Sequence, residues 1–401
     1  MKKIGILSTA VLSSLLIFSC ASTSNNSAAK TSKTTAKSAA EASADENLIV
    51  PNSSNVKYLG RTLVKNDILY LAQTASGIEF KVSGTKSLKF NLAGDTTARA
   101  TRGDIPSNYA RYTIFVDGKE TVTGSMDKKN VSVEVFSGTE VKDAVIRIVK
   151  ISEAAQSNFG IKNIAVDKNA SISPTAEKNF KIEFIGDSIT CGYGVEDTEG
   201  KPFTTQTENA TKAYAYLTAQ NLDADYSIVS YSGFGVYSGF TSSEQNTTSL
   251  VPSNYQYITY NWSDTSLNKQ AWDFSKFQPN LVVINLGTND ASYCKTPSLK
   301  ANFEDAYVDF LKDIRSKNPD AYIICSLGTM GADLYTNIEN AVTTYSAATK
   351  DKRVSCYKFP LQNTAVDGVG SDFHPSVATQ KKSADLMTAY IKSLISNGDI
   401  K

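Results

Sequence analysis

The ten residues KIEFIGDSIT, at positions 181–190, join the pattern of a buried strand to a polar turn. An apolar run typical of a buried strand leads into Gly186, Asp187 and Ser188. A serine on the turn after such a strand is exposed, and its backbone N–H can face an incoming carbonyl group. Taken alone, Gly-Asp-Ser also fits an ordinary strand-ending turn with polar caps. The rest of the chain has to decide between the two interpretations.

Four further apolar runs follow, and stretches with helical periodicity separate them. The alternation predicts a C-terminal three-layer α/β domain with a mostly parallel, flavodoxin-like sheet, and we place this domain at residues 178–398. In such domains ligands bind at the carboxyl ends of the strands, so the residues after each strand are the candidates for chemistry. The predicted strands are residues 181–186, 226–231, 281–286, 322–327 and 354–359.

There are four candidate residues. Three of them follow strands, and the fourth lies on a later loop. Ser188 comes after the first strand, Gly233 after the second and Asn289 after the third, and His374 lies between the fifth strand and the last helical stretch. We expect the imidazole to reach the Ser188 hydroxyl. The N–H groups of Ser188 and Gly233 and the Asn289 amide then converge on one oxygen.

Composition narrows the function further. His374 is the only histidine in 401 residues, which excludes zinc sites built on two or three histidines and leaves one side chain for imidazole chemistry. We expect no metal and no cofactor. Lys plus Arg number 41 against 40 for Asp plus Glu, so the chain has no positive excess with which to bind nucleic acid.

Residues 48–168 have a different pattern, because apolar and polar residues alternate with a period of two. Ile78, Phe80 and Val82 are one example, and Asp117-Gly118 fits a tight hairpin turn. The short strands and the lack of an amphipathic helix predict an N-terminal all-β sandwich.

The N-terminus predicts export. Lys2 and Lys3 precede a short apolar stretch that ends in Ile-Phe-Ser-Cys at Cys20, which resembles the lipobox of bacterial lipoproteins. We predict a signal peptide at residues 1–19, lipidation of Cys20 and a disordered tether at residues 20–47. The protein is then anchored by lipid in the bacterial cell envelope, in the periplasm or at the cell surface, and contacts the membrane only through that anchor.

Four other cysteines remain in a compartment where disulfides persist. Cys325 and Cys356 lie inside apolar runs and are expected to be buried thiols, whereas Cys191 and Cys294 follow the two strongest motifs. A bridge between Cys191 and Cys294 stays open.

Four blocks together resemble the SGNH (GDSL) hydrolases, over roughly residues 178–396. They are Gly-Asp-Ser at 186–188, Gly233, Gly-Thr-Asn-Asp at 287–290 and His374-Pro375. Three more segments are similar to carbohydrate esterase family 2, whose members carry an N-terminal jelly roll before the SGNH domain. These segments are Gly-Arg-Thr at 60–62, Phe-Gly-Ile-Lys-Asn-Ile at 159–164 and Trp-Asp-Phe-Ser at 272–275.

The resemblance implies a role for each candidate. Ser188 is the nucleophile and His374 the base, and Ser188 N–H, Gly233 N–H and the Asn289 amide form the oxyanion hole. It further implies an acetylesterase that removes O-acetyl groups from plant cell-wall polysaccharides such as xylan or glucomannan.

One position departs from the family pattern. SGNH hydrolases commonly have an aspartate three residues before the histidine, but position 371 is a serine and Asp372 is one residue closer. We hypothesise a Ser-His dyad in which a backbone carbonyl orients the imidazole and Asp372 supports the loop. Orientation by the side chain of Asp372 or Asp367 remains the alternative.

Two other functions stay open. A general SGNH esterase, lipase or thioesterase acting on small or lipid acyl groups uses the same catalytic residues. A non-catalytic glycan-binding surface lipoprotein does not need them.

Overall fold

The computed structural model of the protein describes residues 46–98 and 108–400. The predicted signal peptide, Cys20 and residues 20–45 of the predicted tether lie outside these residues. The first strand begins at Glu46, slightly earlier than the expected start of the sandwich at residue 48, because Glu46–Ile49 pairs antiparallel with residues 164–167.

The strands of the N-terminal half are β1 (Glu46–Ile49), β2 (Lys57–Leu59), β3 (Thr62–Lys65), β4 (Ile68–Leu71), β5 (Gly77–Gly94), β6 (Arg111–Val116), β7 (Lys119–Ser125), β8 (Asn130–Lys150), β9 (Phe159–Asp167) and β10 (Ser171–Pro174). Those of the C-terminal half are β11 (Lys181–Gly186), β12 (Asp225–Ser230), β13 (Leu281–Asn285), β14 (Tyr322–Thr329) and β15 (Val354–Leu361). The α-helices are α1 (Ser188–Cys191), α2 (Tyr214–Asn221), α3 (Val251–Tyr255), α4 (Pro297–Lys317), α5 (Tyr335–Thr349), α6 (Thr364–Asp367) and α7 (Val377–Ser396).

The N-terminal half is an antiparallel β-sandwich, as the alternating pattern predicts. Ile78, Phe80 and Val82 are fully buried in one apolar core. The hairpin at Asp117 and Gly118 is confirmed, and both residues have the positive φ that a type I′ turn requires.

The expectation of short strands is wrong for β5 and β8, which have 18 and 21 residues. Their pairing register shifts between Val82 and Lys89. The first part of β5 pairs with β2 and β10 and its second part with β9. β5 therefore changes its partners along its length, and such a change is not visible in the alternation of residues alone.

The C-terminal half is a parallel five-stranded sheet in the order β12-β11-β13-β14-β15, which is the flavodoxin-like order 2-1-3-4-5. All five strands lie where the apolar runs predict them. Alternate residues of each strand face opposite sides, as in β13, where Leu281 and Val283 pack in one core and Val282 and Ile284 in the other. Helices α4 and α5 cover one face and α2 and α7 the other.

Arg61, from the Gly-Arg-Thr block, joins the two halves. Its side chain is fully buried and donates hydrogen bonds to the backbone carbonyls of Tyr255 and Tyr257 at 2.5 and 2.7 Å. It also pairs with Glu183 of β11 at 3.2 Å. Because a buried charge needs a partner of opposite sign, this cation fixes the strand that leads to Ser188 against the sandwich.

The four cysteines within the described residues are thiols. Cys191, Cys294, Cys325 and Cys356 are all free, so the bridge left open between Cys191 and Cys294 is absent. Cys191 instead contacts the Ser230 hydroxyl, with 3.2 Å between sulfur and oxygen. Within residues 46–98 and 108–400, no helix combines the length and the apolar character that crossing a bilayer requires.

Candidate active site

Ser188 is held at the carboxyl end of β11 by a short turn and helix. Asp187 caps α1, because its Oδ1 accepts a hydrogen bond from Ile189 N–H at 3.0 Å. The helix ends at once in Gly192, which has a left-handed φ of 77°. The turn therefore places the Ser188 side chain at the edge of the sheet, with 6% of its surface exposed.

His374 meets this serine although 186 positions separate them in the sequence. The distance between Ser188 Oγ and His374 Nε2 is 2.9 Å. On the other side of the ring, Nδ1 lies 3.1 Å from the Ser371 carbonyl oxygen. Because a carbonyl oxygen only accepts hydrogen bonds, this contact holds the ring hydrogen on Nδ1. Nε2 is then the acceptor for the Ser188 hydroxyl.

The loop that carries His374 is fixed against the loop after the nucleophile. Ser371 N–H donates to the Gly194 carbonyl at 3.0 Å, and the Ser371 hydroxyl donates to Asp197 at 3.1 Å. A side chain at Gly194 would meet Ser371 Cβ at 2.2 Å, so only glycine permits this approach. Ser371 thus orients the imidazole through its backbone carbonyl.

An aromatic stack covers one face of the imidazole. The ring centres of Tyr193 and His374 are 4.1 Å apart, and Phe203 stacks on the far side of Tyr193 with 3.9 Å between ring centres. The Tyr193 hydroxyl donates to Asp372 Oδ2 at 2.7 Å. Sequence reasoning missed Tyr193, because a tyrosine five positions after the nucleophile carries no signal that it contacts residue 374.

Neither candidate carboxylate forms a hydrogen bond with the imidazole. Asp372 accepts from the Tyr193 hydroxyl and, at 3.2 Å, from Phe203 N–H. Asp367 accepts from Lys382 at 2.6 Å. The geometry therefore agrees with the dyad hypothesis. It adds that Asp372 acts on its neighbours by its side chain as well as by its backbone, which donates to the Lys201 carbonyl.

Removal of either carboxylate is expected to have a small effect. We expect Asp372→Ala and Asp367→Ala to lower kcat by at most about tenfold, because neither carboxylate bonds to the imidazole and its loss shifts the ring only through neighbouring residues. A carboxylate that orients a catalytic histidine directly costs about 10⁴-fold when lost. Steady-state kinetics with 4-nitrophenyl acetate measure the effect. A loss in either variant as large as that in His374→Ala would refute the dyad.

Asn289 links the two segments that carry the other predicted oxyanion donors. Its Nδ2 donates to the Phe234 carbonyl at 2.8 Å and contacts Asp187 Oδ2 at 3.3 Å. It thereby bridges the residue after Gly233 and the residue before Ser188. Among the residues that the structure describes, neither Ser188 N–H nor Gly233 N–H has a backbone or side-chain acceptor. Both amides are thus available to a ligand oxygen.

Two buried carboxyl groups support these loops. Asp290 accepts from the N–H groups of Val236, Tyr237 and Ser238 at 2.7 to 3.1 Å. Burial raises the pKa of Asp290 to about 6 and that of Asp187 to about 7. Burial also lowers the pKa of His374 to about 4, so the imidazole is neutral at pH 7 and can take a proton.

Comparison with known proteins identifies the family. A family model described as GDSL-like Lipase/Acylhydrolase matches residues 182–387, about half of the chain. The chain belongs to the GDSL-like hydrolases. A second model, described as Carbohydrate esterase 2 N-terminal, matches residues 58–175. The N-terminal half thus matches the model of carbohydrate esterase family 2, as the motifs at residues 60–62 and 159–164 indicate.

Two relatives of this GDSL-like hydrolase are themselves named as esterases. Cellulase/esterase CelE of Acetivibrio thermocellus is 33% identical over 287 residues, which are 70% of this chain and 34% of CelE. The chain thus spans about a third of that relative. An acetylxylan esterase / glucomannan deacetylase of Cellvibrio japonicus is 23% identical over 349 residues, covering 86% of this chain and 91% of that protein.

A solved structure shares the whole arrangement. A family two carbohydrate esterase from Clostridium thermocellum, in complex with cellohexaose, has a TM-score of 0.73 and 28% identity to this GDSL-like hydrolase. The match covers 85% of this chain and 99% of that chain. That esterase therefore has the same combination of sandwich and parallel sheet.

Proposed function

We propose that this GDSL-like hydrolase is a serine esterase that removes O-acetyl groups from plant cell-wall polysaccharides such as xylan and glucomannan. The observation that carries the proposal is the 2.9 Å contact between Ser188 Oγ and His374 Nε2. A hydroxyl in contact with a neutral imidazole, beside amides that lack acceptors, is the arrangement that acyl transfer through a serine requires.

The reaction proceeds in two halves. His374 Nε2 takes the proton as Ser188 Oγ attacks the acetyl carbonyl, and the oxygen becomes an anion that accepts hydrogen bonds from Ser188 N–H and Gly233 N–H. Asn289 adds a third donor when its side-chain amide turns from Asp187 toward the substrate oxygen. The imidazolium then protonates the sugar oxygen, which leaves. Water, deprotonated by the same imidazole, hydrolyses the acetyl-serine to acetate.

Two exposed aromatic side chains support a sugar substrate. Phe373 precedes His374 and is 66% exposed, and Phe240 is 64% exposed. Phe240 contacts the oxyanion loop, because its N–H donates to the Gly233 carbonyl at 2.8 Å. Exposed aromatic rings next to the base and next to the oxyanion loop suit the apolar faces of sugar rings. The named activities of the relatives point to the same substrates.

Acetate release tests the proposal. The purified protein is incubated with acetylated xylan and with acetylated glucomannan, and free acetate is measured over time with Ser188→Ala as the control. We expect release from at least one polysaccharide and none above background with the variant. Hydrolysis of 4-nitrophenyl octanoate in preference to the acetate would instead favour a general esterase or lipase. Binding of polysaccharide without Ser188-dependent release would favour a glycan-binding protein.

The pH dependence follows from the pKa of His374. Only the neutral imidazole accepts a proton, and burial lowers this pKa to about 4, so kcat/KM is expected to stay level down to about pH 5 and to fall through about pH 4. An exposed histidine would give a fall near pH 6.5. The measurement is kcat/KM for 4-nitrophenyl acetate against pH, with circular dichroism to show that the protein stays folded.

A matched variant removes the main ambiguity. Burial raises the pKa of Asp187 to about 7, so this group also titrates near neutral pH. The profile is therefore repeated with Asp187→Asn. A fall in kcat/KM near pH 6.5 that persists in this variant would contradict the low pKa of His374.

A further inference from the structure

The loop after β8, although it belongs to the sandwich, reaches the back of the active site. Glu153 lies on this loop and is fully buried. Its Oε2 accepts a hydrogen bond from Ser232 N–H at 2.8 Å, across 79 positions of sequence. Ser232 is the residue before Gly233, which supplies an oxyanion donor. A side chain of the N-terminal half thus contacts the loop that binds the developing negative charge.

The geometry of this loop gives the contact its importance. Residues 231–234 form a tight turn in which Phe234 N–H donates to the Tyr231 carbonyl at 3.3 Å. Gly233, at the third position, has a φ of 81°, the left-handed value of a type II turn. The central peptide of that turn joins Ser232 to Gly233 and contains the Gly233 N–H. In a type I turn this peptide is rotated, and its N–H points elsewhere.

Two hydrogen bonds fix the peptides on either side of this central peptide. Glu153 holds the Ser232 N–H before it, and Phe240 N–H donates to the Gly233 carbonyl after it. A Cβ on Gly233 would meet no atom within 4 Å, so the space beside the turn is open. The peptides on both sides of the Gly233 N–H are thus anchored by hydrogen bonds, while the buried side chains of Tyr231 and Phe234 hold the two ends of the turn.

Glu153 is itself held in place by buried groups. Its N–H donates to Glu208 Oε2 at 2.9 Å, and Arg111 donates to the Glu208 carbonyl at 2.6 Å. Lys150, also fully buried, donates to the Ser152 carbonyl at 2.6 Å. On the other side, the Cys191 thiol lies 3.9 Å from Glu153 Oε2. These bonds hold the backbone at Glu153, and the contacts with Ser232 N–H and the Cys191 thiol place its carboxyl group.

We propose that Glu153 is a positioning residue of the oxyanion hole. Its carboxyl group anchors Ser232 N–H from the sandwich side, so that the Gly233 N–H faces the substrate oxygen. Glu153 is shielded from substrate and takes no part in proton transfer. The sandwich then contributes to the turnover rate and not only to stability. This inference rests on the proposed esterase function, because the oxyanion exists only in that reaction.

The test compares three variants of the full chain. Glu153→Gln keeps an oxygen acceptor of the same reach, and Glu153→Ala removes it. Glu79→Gln is the control, because Glu79 is a second buried carboxylate of the sandwich, bound to Arg147 at 2.8 Å and remote from Ser232 in its contacts. For each variant, kcat and KM are measured with 4-nitrophenyl acetate. The inhibition constant of a boronic acid is measured as well, since its tetrahedral serine adduct mimics the oxyanion.

We expect Glu153→Ala to lower kcat by about 10-fold to 100-fold with KM little changed, since a misdirected donor costs less than a missing one. Boronic acid affinity is expected to fall in parallel. Glu153→Gln is expected to restore kcat to within about threefold of the wild type. Glu79→Gln should leave kcat and inhibition unchanged even if it unfolds at a lower temperature.

Several outcomes would overturn the inference. They are a folded Glu153→Ala protein with wild-type kcat, or a Glu153→Gln protein as slow as Glu153→Ala. If Glu153→Ala does not fold, Glu153→Asp decides, because its shorter side chain withdraws the oxygen from Ser232 N–H. If neither folds, Glu153 is only a structural residue and the inference fails. Failure of the proposed function looks different, because Ser188→Ala would then hydrolyse the ester as fast as the wild type.

Discussion

Replacement of His374 by alanine is expected to lower kcat for 4-nitrophenyl acetate by about 10⁴-fold or more, and Ser188→Ala is expected to have a similar effect. The serine hydroxyl is a poor nucleophile until a base removes its proton, and His374 Nε2 is the base at 2.9 Å. The chain has no second histidine to replace it. Steady-state kinetics at neutral pH, with circular dichroism to confirm folding, measure the loss.

The double variant Ser188→Ala/His374→Ala provides the control. Because the two residues act as one unit, their effects do not add, and the double variant is expected to be about as slow as either single variant. A His374→Ala protein that keeps more than about a tenth of wild-type kcat would contradict a role as general base, since base catalysis alone contributes more than this.

Loss of the Asn289 amide is the second largest expected effect. Asn289→Ala is expected to lower kcat by about 100-fold to 1000-fold with KM little changed, because one hydrogen bond to the oxyanion is removed from a buried site. Asn289→Asp is expected to be at least as slow, since it replaces a donor with a negative charge beside the developing anion. Both are measured with 4-nitrophenyl acetate.

The control for Asn289 is another asparagine outside the site. Asn302, on α4, donates its amide to the Tyr237 hydroxyl at 3.1 Å and is exposed. Asn302→Ala is expected to keep wild-type kcat. Asn289 also stabilises the fold through its hydrogen bond to the Phe234 carbonyl. Thermal unfolding of both variants measures this structural effect separately from the effect on kcat. If Asn289→Ala unfolds earlier but turns over at the wild-type rate, Asn289 is not an oxyanion donor.

The sequence predicted the elements that depend on local pattern. All five strands of the parallel sheet coincide with the predicted apolar runs. Strands buried on both faces leave no room for alternation, as in β11 to β14, whereas β15 at the edge of the sheet is mostly half-buried or exposed. The hairpin at Asp117 and Gly118 was also predictable, since few residues tolerate positive φ at two successive positions. The meeting of Ser188 and His374 followed from the rule that ligand sites lie at the carboxyl ends of parallel strands.

Features that depend on contacts between distant segments were not predictable. The register shifts between β5 and β8 and the change of partners along β5 arise from pairing with strands far away in the sequence. Tyr193 covers His374 only because two loops approach at Gly194. Glu153 was overlooked for the same reason, since a glutamate after a strand of the sandwich has no sequence signal that joins it to Ser232.

The orientation of His374 lies between these cases. Serine at position 371 showed that a side-chain carboxylate is missing from its usual place, and this alone suggested a dyad. The sequence did not show where Asp372 points. Its backbone has a left-handed φ of 47° and that of Phe373 a φ of 60°. This rare conformation accompanies a hydrogen bond from the Tyr193 hydroxyl to the Asp372 carboxylate.

Covalent labelling shows most directly which atom is the nucleophile and what activates it. The wild type and His374→Ala are treated with a fluorophosphonate, which labels activated serine nucleophiles, and the labelled peptide is identified by mass spectrometry. If Ser188 is the nucleophile and His374 its base, we expect a single label on Ser188 that forms much more slowly in His374→Ala. A label on another residue, or an equal rate in both proteins, would contradict this assignment.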